Sequence, residues 1–146
     1  MEPLIVEFTV AKSVAHAFDT WVNRPSLWWP KSHTVNRAED LAIIFEGRPG
    51  GRIYERTRDG IECDWGEVRA WEPPHRVAYS WHLFFDPVEA TQVEVTFVET
   101  DEGTRVRIEH AGWERLGEPT GTERRANTHR AWGAVTPFFI AACSTD

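Results

Sequence analysis

From residue 41 to about residue 110, apolar and polar side chains alternate at every second position, and the chain then ends in one amphipathic stretch at helical spacing. Val77, Tyr79, Trp81 and Leu83 share one face, with Arg76, Ala78, Ser80 and His82 on the other. Val93, Val95 and Phe97 oppose Gln92, Glu94 and Thr96, and Val106 and Ile108 oppose Arg105, Arg107 and Glu109. This is the period of an antiparallel sheet with one dry face. Such a sheet needs a cover, and the pattern offers only one long element to supply it. Strict alternation continues the dry face through Thr104, Val106 and Ile108 to His110.

Turn chemistry divides the β region. Strands are expected over 41–46, 52–57 and 61–71, separated by Arg48-Pro49-Gly50-Gly51 and by the Asp59-Gly60 hairpin signal. Glu72-Pro73-Pro74 halts the third, because proline cannot donate to a sheet ladder. Before this region, Leu4–Val10 reads as a strand. Ser13 can cap a helix running to about Val22, and Ser26-Leu27-Trp28-Trp29 forms a second short turn of helix. The last helix is expected from Thr120 to about Ala142, opened by a Thr120-Gly121-Thr122-Glu123 capping box. Its buried stripe is Trp132, Val135, Phe139 and Ala142, extended backwards through Ala126 and His129, with a bend at Pro137. Arg124 and Arg125 are assigned to a solvated face.

These elements predict an α+β fold in one domain, residues 1–146. A curved antiparallel sheet of six or seven strands wraps a long C-terminal helix, and two short helices follow the first strand. A sheet curled about a single helix closes imperfectly, and a cavity would form in the gap. Composition says what could enter it. The chain holds eight Trp, eight Phe and two Tyr, large apolar areas that can either fill the gap or line it. The net charge of −7 argues against a general nucleic-acid or anionic-membrane binder. Two cysteines far apart supply neither a disulfide framework nor a zinc motif. No His-Glu-x-x-His, Walker loop, dinucleotide fingerprint or Gly-x-Ser-x-Gly elbow is present, so neither metal nor cofactor is expected. The first residues lack a signal-peptide layout and no apolar run reaches membrane length, so a cytoplasmic location is the expectation.

Several local motifs, in order, carry a family resemblance across essentially the whole chain. They are Gly50-Gly51-Arg52, Trp65-Gly66-Glu67-Val68, Glu72-Pro73-Pro74-His75-Arg76 leading to Trp81, and Val93-Glu94-Val95-Thr96-Phe97. Gly103-Thr104-Arg105-Val106, His110-Ala111-Gly112-Trp113-Glu114 and the helical Ala131-Trp132 follow. The chain resembles START-like (SRPBCC, Bet v 1-type helix-grip) proteins, in the branch named after the C-terminal domain of the activator of heat-shock-protein-90 ATPase. Ala131 stands where that branch leads one to expect glycine, and 114–122 diverges. The resemblance implies a deep hydrophobic cavity between sheet and last helix, in a fold that hosts carriers and polyketide cyclases.

The residues placed around that cavity are Trp28, Trp29, Tyr79, Trp81, Trp113, Trp132 and Phe139, with His110 and Glu55 as polar anchors. The leading expectation is binding of a small hydrophobic or amphipathic molecule. The alternative is a cavity enzyme of cyclase, dehydratase or hydrolase type using His110 or Glu55 as acid–base group. A second alternative is a protein-interaction or chaperone-linked module, which an exposed apolar patch on the sheet edge or around Trp65 and Trp71 would favour. A homodimer is left open.

Overall fold

The computed structural model describes residues 1–145. Strand β1 (Leu4–Val10) leads into helices α1 (Val14–Asn23) and α2 (Pro25–Trp28). Six strands follow: β2 (Ala42–Phe45), β3 (Arg52–Arg56), β4 (Glu62–Glu72), β5 (Arg76–Trp81), β6 (Thr91–Thr100) and β7 (Gly103–Ala111). Helix α3 (Thr120–Cys143) ends the fold. All neighbouring strands are antiparallel, in the order β1-β7-β6-β5-β4-β3-β2. The sheet curls as a half-barrel about α3, the helix-grip arrangement expected from the sequence. Among the described residues no helix is long and apolar enough to cross a membrane.

Register carries the dry face across strands. His110 pairs with Val93 and with Leu4, Ile108 with Val95, and Val106 with Phe97, and all of these are buried. Ser13 caps α1 as expected, accepting from the His16 amide at 3.1 Å. The space between sheet and helices is bridged by rings. Trp21 meets Phe139 and Trp28 at 5.0 Å between centroids, and Phe18 meets Phe97 at 5.4 Å. Buried indoles find acceptors for their single donor: Trp28 donates to the Thr20 carbonyl at 2.8 Å, and Trp21 to the Tyr79 hydroxyl at 3.3 Å.

Three local expectations need correction. Ser80 and His82, assigned to the wet face, are buried. The strand β4 wraps the end of β5 there: the Glu67 amide donates to Ser80 Oγ at 3.0 Å and the His82 amide to the Trp65 carbonyl at 2.7 Å. Gly66 permits this approach, since a Cβ at that position would sit 1.9 Å from the Ser80 carbonyl oxygen.

The capping box does not form. Glu118, one turn earlier, instead accepts from the Thr122 amide and hydroxyl. The stripe of α3 holds at Trp132, Val135 and Phe139 but not in its backward extension: Ala126 and His129 are exposed, while Gly121, Thr136 and Cys143 join the buried face. Helical spacing of 3.6 residues carries that face back from Trp132 through Thr128 to Arg124. The helix continues through Pro137.

Candidate functional site

A cavity of about 100 Å³ lies where the end of β5 and the start of β6 face the N-terminal half of α3. Its walls are Trp29, Trp81, Trp113 and Trp132, with Leu83 and Val135. The loop that follows β5 covers it with Phe84 and Phe85, which remain 54% and 42% exposed. Phe84 has φ of +75°, a backbone region that non-glycine residues rarely adopt. Outside this cover runs an open groove of about 360 Å³ that shares Phe84, Phe85, Arg124, Thr128 and Ala131 with the cavity.

Register brings His110 to one wall. Trp132 Nε1 carries only a donor and lies 3.1 Å from His110 Nδ1, so Nδ1 accepts and the proton sits on Nε2. His110 Nε2 then donates to Thr91 Oγ1 at 2.6 Å, and the threonine hydroxyl donates onward to the Trp81 carbonyl at 3.3 Å. The chain runs one way, from indole to imidazole to hydroxyl to backbone. Burial depresses the His110 pKa to about 3, holding the ring neutral. Trp113 packs on the ring at 4.5 Å between centroids and donates to the His110 carbonyl at 2.9 Å. Both ring nitrogens are engaged, so this imidazole offers the cavity a face and an edge rather than a free lone pair.

The polar side of the cavity comes from elsewhere. Arg124, expected on a solvated face, has a side chain only 15% exposed. Its guanidinium carbon lies 3.4 Å from the centroid of the Phe85 ring, and Nη2 donates to Glu89 Oε1 at 2.9 Å. Its Nη1 is buried and has no hydrogen-bond partner among the described residues.

Other expected site residues lie apart from the cavity. Trp28, Tyr79 and Phe139 sit within the packed ring cluster. Burial pushes the Tyr79 hydroxyl pKa up, and the Trp21 hydrogen bond partly offsets the rise. Glu55 is fully buried beneath the loop before β2 and accepts four hydrogen bonds. They come from the Val35 and Asn36 amides, Asn36 Nδ2 and Trp65 Nε1, at 2.8–2.9 Å. Those bonds fix the 34–36 loop to β3 and β4 and leave the carboxylate nothing to give a ligand. Trp65 is buried and Trp71 packs edge-on against Phe18 at 5.3 Å, so neither builds the exposed patch an interaction module would need. Among the described residues, no group of three His, Cys, Asp or Glu side chains is placed to hold a metal.

Sequence reasoning missed Leu83, Phe85, Glu89, Thr91, Arg124 and Thr128. Two signals were available. Thr91 has the same parity as Val93, Val95 and Phe97, and Arg124 and Thr128 lie two turns and one turn before Trp132.

The family model for Activator of Hsp90 ATPase homolog 1-like protein matches residues 13–138. The chain belongs to this family. The assignment agrees with the SRPBCC-type superfamily expected from the sequence motifs. Solved structures share the fold of this Activator of Hsp90 ATPase homolog 1-like chain. One is an anthrahydroquino-gamma-pyrone synthase, Txn09, solved in complex with SUM; it is 35% identical over 86% of each chain, with a TM-score of 0.60. Protein MLL2253 from Mesorhizobium loti is 19% identical over 95% of this chain and 94% of its own, at a TM-score of 0.69. DynU16, a putative protein in the dynemicin biosynthetic locus, is 18% identical with a TM-score of 0.73, and this chain spans 48% of its length. No curated protein matches the chain.

Proposed function

We propose that this chain binds a small, flat, mostly apolar aromatic molecule, one edge inserted among the four indoles and the remainder lying in the outer groove. The observation that carries this reading is a cavity walled by Trp29, Trp81, Trp113 and Trp132, with Arg124 among the polar side chains of its lining. Sites for small organic ligands have that composition. Size sets the pose. An apolar cavity of roughly 150 Å³ holds one benzene ring, so this cavity of about 100 Å³ receives only part of a fused ring system.

A second reading, turnover, is favoured by the 35% identical relative, whose name describes synthesis of a fused aromatic pyrone. In that reading the chain would act by enclosing and orienting its substrate. His110 and Glu55 do not suit acid–base work here, because their hydrogen-bonding atoms are already committed.

Calorimetric titration with 2-acetonaphthone tests the binding reading. Saturable binding is expected, lost in Ala131→Phe, which places a ring in the cavity, and kept in Phe138→Ala on the exposed side of α3. No binding to the wild type, or equal binding to Ala131→Phe, would count against it.

A further inference from the structure

We infer that the molecule taken by this cavity carries an ionised oxygen, a phenolate, enolate or carboxylate attached to its ring system, and that Arg124 is the residue that receives it. The inference rests on the aromatic-binding reading above and adds the charge of the ligand. Among the described residues, two groups engage the Arg124 guanidinium. The Phe85 ring covers the guanidinium at 3.4 Å, and a single Glu89 oxygen holds Nη2 at 2.9 Å. Arg124 lines the same cavity, and its Nη1 is buried and unpaired among the described residues.

A charged donor out of contact with water loses its hydration without recovering a hydrogen bond, which disfavours the arrangement unless something else completes it. Glu89 completes only half of the fork. A guanidinium binds oxyanions best through two parallel N–H groups, and Nη1 leaves the other half of the fork unfilled beside the cavity. The Phe85 ring fixes the guanidinium plane, so little freedom is lost when an oxygen arrives. An acidic oxygen on a flat ligand thus meets Arg124 while its rings meet the indoles. The chain as a whole carries net charge −7 and does not draw anions by its overall field. The preference for an anion is assigned to this side chain, which lines the cavity.

The test compares 2-naphthoate with 2-naphthamide, equal in shape and differing in charge, by calorimetry on the full chain at pH 7. The wild type should bind naphthoate about tenfold more tightly than the amide, as expected when a charge-assisted hydrogen bond replaces a neutral one. In Arg124→Gln the ratio should fall to near one. In Glu89→Gln, which removes the competing carboxylate charge and keeps the arginine, the ratio should rise, and this variant decides the matter if Arg124→Gln does not fold. Amide binding with no preference for naphthoate, or a Glu89→Gln ratio at or below that of the wild type, overturns the inference and leaves the aromatic-binding reading standing. Binding of neither probe overturns both.

Discussion

Replacing His110 with a residue that cannot titrate should flatten the acid dependence of stability. The His110 ring is neutral in the folded chain down to about pH 3, while an unfolded histidine titrates at 6.5. Between those values the unfolded chain binds the extra proton, so stability contributed by this residue is fully present above 6.5 and declines as pH falls toward 3. From pH 7 to pH 5 the decline works out at about 2 kcal/mol, at roughly 1.4 kcal/mol for each pH unit below 6.5. With a urea slope of about 2 kcal/mol/M, the unfolding midpoint should fall by about 1 M over that interval. His110→Gln keeps an acceptor toward Trp132 and a donor toward Thr91, so the fold should survive. Carboxylates and other histidines contribute the same background in both proteins, and the difference between wild type and variant isolates position 110. Urea titrations at pH 7, 6 and 5 measure it. Parallel curves for the two proteins would refute the neutral, one-directional hydrogen-bond chain.

Gly66→Ala would force a Cβ to within 1.9 Å of the Ser80 carbonyl oxygen and must push β4 from β5; a thermal melt should show a loss of at least about 2 kcal/mol. Glu55→Ala strands the Val35 and Asn36 amides and the Trp65 indole inside the protein, and chemical denaturation should record a loss on the order of 3 kcal/mol or more. Thr91→Val removes the acceptor of His110 Nε2–H and should lower stability by about 1–3 kcal/mol, read by urea unfolding at pH 7.

The architecture was legible because alternation, turn chemistry and helical spacing all act locally. Val93, Val95 and Phe97 announce a dry face whatever surrounds them, and Asp59-Gly60 makes a hairpin whose Gly60 adopts φ of +91°. The division of the rings into packing and lining was not legible. Trp28 and Trp29 are adjacent, yet one is sealed between Trp21 and Phe139 while the other borders the cavity. That difference depends on which way α2 ends, a tertiary matter. Arg124 escaped for a related reason: an arginine is ordinarily solvated, and only the loop carrying Phe85 and Glu89, distant in sequence, takes it out of water. Glu55 shows the reverse case. On sequence it is a candidate polar anchor of the cavity, but its four partners make it a fastener for the 34–36 loop.

Indole N–H resonances offer the most direct check on the proposed aromatic site. On titration of 15N-labelled protein with 2-acetonaphthone, the signals of Trp29, Trp81, Trp113 and Trp132 should move together and saturate, while those of Trp21, Trp28 and Trp65 stay nearly still. Eight unmoved signals, or displacement centred on the second group, would contradict the account.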